Sequence, residues 1–274
     1  MPQTSLVVPC YNEATRLDVQ EFTRFAQSGV ARLFLVNDGS RDETLTVLRE
    51  IESAAPGHVT VVNLEQNCGK AEAVRRGLIE ALASDSQFVG FWDADLATPF
   101  DALTGFLREL EAAPHLEIVI GSRVRLLGRT IDRQASRHYA GRVFATAASL
   151  ALRLPVYDTQ CGAKLFRATD QLGRALATPF LSRWVFDVEL LARLGTVDGR
   201  YDRTRLVHTV YEFPLAEWRD VAGSKLRMTD FAKSAVDLLK IYRRYVRGPW
   251  APTHGGAPDV AMERVSRKPP SLTS

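Results

Sequence analysis

No stretch of about 18 apolar residues occurs in this chain, so no segment is expected to cross a membrane as a helix. The start, Met1-Pro2-Gln3-Thr4, carries no basic residue, and the apolar run after it is only Leu6 to Val8, which is not the pattern of a signal peptide. Cysteine is scarce. Cys10, Cys68 and Cys161 are odd in number, far apart and without a C-x-x-C pair. That spacing offers neither a disulfide framework nor a zinc signature, and suits free thiols in a reducing compartment. Excess charge is lacking too: 35 Lys and Arg against 32 Asp and Glu leave +3 over 274 residues, too little to argue for nucleic acid. No G-x-G-x-x-G follows the first apolar run, so a dinucleotide pyrophosphate would lack the glycines for its close approach. The loop at that place, Cys10-Tyr11-Asn12-Glu13-Ala14, is acidic and without glycine. It is therefore unlike the Gly-rich basic loop by which nucleotidyltransferases hold a triphosphate. There is no internal repeat.

What is present is a core. Hydrophobic residues make up 46% of the chain, enough for a large buried interior at this length. Short apolar runs at 5–9, 32–37, 58–63, 88–92 and 118–120 read as strands, and amphipathic stretches at 17–27, 44–51, 71–83 and 100–110 read as helices between them. Such alternation predicts an α/β fold with a Rossmann-like, mostly parallel sheet flanked by helices. The second half predicts helices at 137–152, 186–194 and 229–246, a short strand at Leu165-Phe166 and a strand over 206–213. Residues 1–125 and 126–248 are expected to form the two halves of one domain. A Pro- and Gly-rich tail, 249–274, is expected to be disordered.

Acidic residues fall at the predicted strand ends: Glu13 after the first, Asp38 after the second, Asp93 and Asp95 after the fourth. A parallel sheet gathers these ends on one rim, where it binds ligands. Carboxylates gathered there repel each other and call for a cation, and their oxygens suit Mg²⁺ or Mn²⁺ bridged to phosphate. Taken singly the signals are weaker, because Asp caps helices and Asn37-Asp38-Gly39-Ser40 is strong turn chemistry.

In order and spacing, Val7-Val8-Pro9-Cys10-Tyr11-Asn12-Glu13, Val36-Asn37-Asp38-Gly39-Ser40, Asn67-Cys68-Gly69-Lys70 and Asp93-Ala94-Asp95 resemble the family 2 glycosyltransferases of GT-A fold. Gly121-Ser122-Arg123, the block from Asp158 through Cys161 to Phe166, Trp184-Val185-Phe186-Asp187-Val188-Glu189 and Gly223-Ser224-Lys225-Leu226 narrow the resemblance to polyprenyl-phosphate sugar synthases, nearest the dolichyl-phosphate β-glucosyltransferases. The resemblance spans about residues 5 to 230, and implies that 1–125 is the nucleotide-sugar-binding half and 126–248 the acceptor-binding half of a single GT-A domain. It implies that Pro9, Tyr11, Glu13 and Asp38 line the base and ribose, that Asp93 and Asp95 hold metal and diphosphate with Ala94 between them, and that Arg219 and Lys225 close over the diphosphate. It places Arg123, Ser136, Arg137 and Lys164 at the acceptor phosphate, where an arginine fork fits well. Lys70 is expected to meet phosphate or solvent. Asp158, Asp95 and Asp187 are the catalytic candidates. Asp158 would orient the acceptor or assist it, or else serve as a cap or turn residue, and Glu189 is expected to be structural.

The expected reaction is inverting transfer of glucose from UDP-glucose, with Mg²⁺ or Mn²⁺, to a polyprenyl phosphate. The alternatives are mannose from GDP-mannose, a soluble acceptor, or a non-catalytic binding protein on the same scaffold. Eukaryotic dolichyl-phosphate glucosyltransferases carry an amino-terminal membrane helix, and this sequence starts at the first strand. A cytoplasmic protein is expected, peripheral on the cytoplasmic face of a membrane or free of it. The helices at 137–152 and 229–246 either touch that membrane or pack on the core.

Overall fold

The structure, a computed structural model, describes residues 3–132, 135–220 and 228–247, with backbone only for 135–140 and 228–232. The expected tail and Lys225 lie outside the described residues, as do the side chains of Ser136 and Arg137.

The first half alternates as its periodicity predicts: β1 (Thr4–Cys10), α1 (Val19–Gln27), β2 (Arg32–Asp38), α2 (Thr44–Ala54), β3 (Val59–Leu64), α3 (Lys70–Leu82), β4 (Phe88–Trp92), α4 (Ala102–Ala112) and β5 (Ile118–Ser122). Helix α1 starts two residues later than expected because Asp18 caps it, its side chain accepting from Glu21 N at 3.0 Å. The second half adds β6 (Thr130–Asp132), α5 (Ala135–Leu152), β7 (Ala163–Arg167), α6 (Asp170–Leu176), α7 (Phe186–Leu194), β8 (Thr196–Val197), β9 (Arg200–Tyr201), α8 (Arg203–Thr209), β10 (Val210–Pro214), β11 (Glu217–Arg219) and α9 (Met228–Ile241), which runs into a π-helical turn at Tyr242–Val246. One sequence expectation is corrected. The strand over 206–213 is a helix up to Thr209 and a strand only from Val210. Asp202 caps that helix by accepting from Arg205 N at 3.1 Å, and Leu206 is the side chain that anchors it in the core. A short apolar run does not by itself distinguish helix from strand.

Seven strands form one sheet in the order β10-β5-β7-β4-β1-β2-β3. All neighbours are parallel except β7, which runs antiparallel between β4 and β5. Successive side chains of a strand alternate faces, and both faces here are covered. Leu6, Val8, Leu33 and Leu35 pack on one side with Phe22, Leu48 and Leu103 of α1, α2 and α4. Val7, Val36, Val89 and Phe91 pack on the other with Val74, Leu152, Val188 and Leu238 of α3, α5, α7 and α9. Helices α5 and α9 thus each bury one face, while Val143, Leu150, Val236 and Leu239 remain exposed.

A buried ionic cluster fixes the second layer. Glu189 is fully buried, as its predicted structural role requires. It pairs with Arg193 (Nη2 to Oε1, 2.6 Å), accepts from Tyr245 Oη at 2.9 Å, and takes Leu181 N at 2.7 Å. Arg193 in turn donates to the carbonyls of Ala175, Thr178 and Pro179. The cluster ties α6, α7, the segment 177–185 and the last turn together. Glu189→Ala strands the Arg193 guanidinium without its counterion, so a loss of about 3–5 kcal/mol is expected. Urea unfolding of the two proteins side by side measures it, and equal midpoints would refute the assignment.

Candidate active site

The carboxyl ends of β1, β2 and β4 open onto one rim, and the loops there are laced by side chains close in sequence to the strands. Asn12 N donates to Ser40 Oγ (3.0 Å), Arg41 N to Asn12 Oδ1 (2.9 Å), and Glu13 N to Thr44 Oγ1 (2.8 Å). Asp38, buried at the end of β2, fastens the next loop: Cys68 N donates to Oδ1 at 2.7 Å, Gly69 N to Oδ2 at 2.9 Å and Asn67 Nδ2 to Oδ2 at 3.1 Å. Burial raises its pKa, and those backbone donors work against the rise. Gly39 makes the approach possible. It sits at φ +60°, and a Cβ there would lie 2.3 Å from the Gln66 carbonyl carbon. The predicted base-and-ribose set therefore shares one wall: Pro9 half-buried in β1, Tyr11 and Glu13 in the loop beyond it, and Asp38 as the clamp of the 67–69 loop.

Asp93 and Asp95 flank the turn after β4, with Ala94 buried between them. Asp93 Oδ1 lies 2.5 Å from Lys70 Nζ, at the first residue of α3. Lys70 thus turns into the acidic rim. Burial opposes its charge, but Asp93 and Asp187 outweigh that and hold its pKa above the ordinary lysine value. Asp95 accepts from Ala97 N at 3.1 Å and faces Arg16 Nη2 at 3.8 Å, while burial and the neighbouring Asp93 push its pKa up. Two carboxylates so close in sequence at one turn fit a divalent cation. Among the described residues no group of three or more His, Cys, Asp or Glu is placed to hold a metal. Asp93 and Asp95 could supply two oxygens to such an ion, with further positions left to water and phosphate, the habit of Mg²⁺. Gly162 underlies Asp93: its carbonyl accepts from Asp93 N at 2.9 Å, and a Cβ on it would lie 1.9 Å from Asp93 Oδ2.

Next along the rim, Arg123 and Asp158 form a two-point pair, Nε to Oδ2 at 2.6 Å and Nη2 to Oδ1 at 2.8 Å, and Arg123 N adds a third contact at 3.2 Å. Burial alone would raise the Asp158 pKa. The Arg123 guanidinium overrides it and holds the carboxyl below the usual carboxylate range. Arg123 also lies over the Trp218 ring at 5.3 Å. Beneath, Lys164 is 1% exposed and donates to Asp187 Oδ1 (2.5 Å) and Cys161 O (2.6 Å). Gln160 Nε2 reaches the other Asp187 oxygen at 3.3 Å. Asp187 and Lys164, expected as catalytic and acceptor-binding groups, thus meet as a buried pair under the surface of the cleft. Arg219 is exposed and ion-paired with Glu217 at 2.6 Å, while its N–H donates to Ala97 O, which sets β11 beside the acidic turn.

Sequence reading missed Glu212. Its carboxylate accepts Tyr157 N and Asp158 N, both at 2.8 Å, and holds the Asp158 loop from β10. No local signal marks it, since it stands 54 residues from Asp158 and inside the segment misread as one long strand. Arg16 was missed likewise, although its place after Glu13 lay in plain view.

A Rossmann-like sheet with an acidic pair and a lysine at its rim, and one antiparallel strand inserted beside them, is the arrangement of the GT-A fold. The chain belongs to glycosyl transferase family 2, whose model matches residues 5–171. It is 31% identical over 275 residues to dolichyl-phosphate beta-glucosyltransferase of Homo sapiens, covering 90% of this chain and 77% of that one. To the protein of the same name from Drosophila melanogaster it is 33% identical over 271 residues, with the same coverage of 90% and 77%. Among solved structures it resembles glucosyl-3-phosphoglycerate synthase from Mycobacterium tuberculosis in complex with Mn²⁺, UDP and glucosyl-3-phosphoglycerate, with a TM-score of 0.60, 18% identity, and 87% and 77% of the two chains covered. It also resembles the mannosyltransferase PcManGT from Pyrobaculum calidifontis in complex with GDP-Man and Mn²⁺, with a TM-score of 0.59, 20% identity and coverage of 92% and 66%. Identities this low establish the shared fold. No helix among the described residues is long and apolar enough to cross a membrane.

Two outcomes follow from the geometry. Gly162→Ala displaces Asp93, so Mn²⁺ affinity in the presence of UDP, titrated calorimetrically, is expected to fall about 10-fold or more; unchanged affinity would count against the Asp93 assignment. Asp158 has a depressed folded pKa, so its contribution to stability is full above the unfolded value of about 3.9 and is lost as pH falls through the lower folded value. Wild type should therefore exceed Asp158→Asn in unfolding free energy at neutral pH. The gap should close in acid, below about pH 4. A gap constant with pH would refute the pairing.

Proposed function

We propose that this enzyme transfers glucose from UDP-glucose to the phosphate of a polyprenyl (dolichyl) phosphate, with inversion and with Mg²⁺ or Mn²⁺. The observation that carries the phosphate acceptor is the commitment of Asp158 to Arg123. A sugar hydroxyl needs a free base to take its proton. Here the carboxylate nearest the acceptor side has both oxygens bound to a guanidinium and a lowered pKa. A phosphate monoester needs no such base. Its second pKa is about 6, so near neutrality it is already a dianionic nucleophile.

In this reading a phosphate oxygen attacks C1 of the α-linked glucosyl group, the C1–O bond to UDP breaks, and the β-linked glucosyl phosphate forms as UDP leaves. Asp158 orients Arg123, whose Nη1 is the guanidinium nitrogen not spent on that carboxylate and is offered to the acceptor phosphate. Ser136 and Arg137 lie at the start of α5 and complete the acceptor set. Lys164 acts as counterion to Asp187 beneath the cleft. Asp93 and Asp95 would hold the metal, which when bound would supply positive charge for the departing diphosphate. Lys70, beside Asp93 at the rim, would serve as a cation for a diphosphate oxygen, and the resemblance assigns Arg219 and Lys225 to the same group. The Asp38 clamp holds the 67–69 loop against the base and ribose. The names of the relatives support glucose and a lipid acceptor, and the exposed apolar residues of α5 and α9 are consistent with peripheral membrane contact.

The test is transfer by purified protein from labelled UDP-glucose or GDP-mannose to a short-chain polyprenyl phosphate or to a water-soluble phosphate acceptor. Glucose should enter the lipid phase, only with UDP-glucose and divalent metal, and Asp95→Ala should abolish it. Mannose transfer from GDP-mannose, or sugar moved only to the soluble acceptor, would overturn the donor or the acceptor assignment respectively.

A further inference from the structure

Beyond Arg123 the chain leaves the core in a way that transfer chemistry does not require. The link from β5 to β6 turns back on itself, with Arg129 N donating to Leu126 O at 3.2 Å and Gly128 at φ +78°. Every residue over 125–130 is exposed. Two of them are leucines: Leu126 is 48% exposed and Leu127 104%, as open as in an extended peptide. An isolated exposed leucine is ordinary. A pair of them at the tip of a turn, flanked by exposed Arg125 and Arg129, is an apolar point in a basic collar. The sequence around the turn is basic as well: between 124 and 137 stand Arg125, Arg129, Arg133 and Arg137 against Asp132 alone, in a chain that is otherwise close to neutral.

This composition matches one kind of surface. Leucine side chains gain by entering the acyl boundary of a bilayer, while guanidinium groups stay among anionic headgroup phosphates. The turn also sits where such a surface is useful. Leu127 is four residues from Arg123, at most about 14 Å along an extended chain. We infer that the Leu126-Leu127 turn is a membrane anchor that seats the Arg123 edge of the active site on an anionic bilayer, so that a lipid-borne phosphate reaches that guanidinium without leaving the membrane. The inference rests on the reading of the acceptor as a lipid phosphate, yet its test needs neither donor nor acceptor.

Full-length protein is sedimented with vesicles of phosphatidylcholine alone or mixed with phosphatidylglycerol. Wild type should bind the anionic vesicles, and Leu126→Ser/Leu127→Ser should bind them about 10-fold more weakly or worse. Arg125→Gln/Arg129→Gln should lose the preference for anionic lipid. Because the leucine side chains are exposed, that variant should keep the wild-type melting temperature and its rate with a detergent-dispersed short-chain acceptor. A failed sugar-transfer assay with vesicle binding intact would count against the acceptor reading and leave the anchor standing. Equal vesicle binding by wild type and the leucine variant, or no binding by wild type, would overturn the anchor. So would a concentration-dependent dimer in sedimentation velocity that the leucine substitutions dissolve, because the tip would then meet a second copy of the chain.

Discussion

Lys70 Nζ, 2.5 Å from Asp93, is the positive charge on which the acidic rim depends. Asp93, Asp95 and Asp187 approach one another at the carboxyl edge of the sheet, and burial adds to their mutual repulsion. The pKa values of Asp95 and Asp187 are both raised by burial and by Asp93. Lys164 answers Asp187 from below and Lys70 answers Asp93 from the side. The rim is thus a set of carboxylates that two lysines make tolerable.

Rigidity around the rim comes from carboxylates that bind backbone. Asp38 takes the N–H groups of Cys68 and Gly69, Glu212 those of Tyr157 and Asp158, and Glu189 that of Leu181. Each fastens a loop to a strand or helix of the frame, so side chains borne on loops are held as if on regular structure. Asp158 stands at the end of one such chain, from Glu212 through the loop to Arg123. It holds two nitrogens of the Arg123 guanidinium, and that charge is what lowers its pKa.

How much of this was legible in the sequence follows the range of the interactions. Alternation of short apolar runs with amphipathic stretches located β1 to β5 and the helices between them within a few residues, because period and capping are local. The acidic residues at the ends of β1, β2 and β4 were found for the same reason, and Asp93 with Asp95 did land beside Lys70. Lys70 itself was left between phosphate and solvent, because a helix-start position does not say which neighbour its side chain will meet. The strand expected over 206–213 failed where a short apolar run carried too little period and the Asp202 cap went unread.

By itself the sequence determined the α/β class and the rim on which the acidic residues gather, both consequences of side-chain order along single elements. Only the tertiary structure decided that β7 enters antiparallel between β4 and β5. That insertion brings Gly162 under Asp93 and Lys164 to Asp187, and across the fold Arg123 closes on Asp158 and Glu212 on the Asp158 loop. Those partners stand 23 to 69 residues apart in sequence. Their meeting depends on strand order and direction, which the pattern of any one segment does not contain.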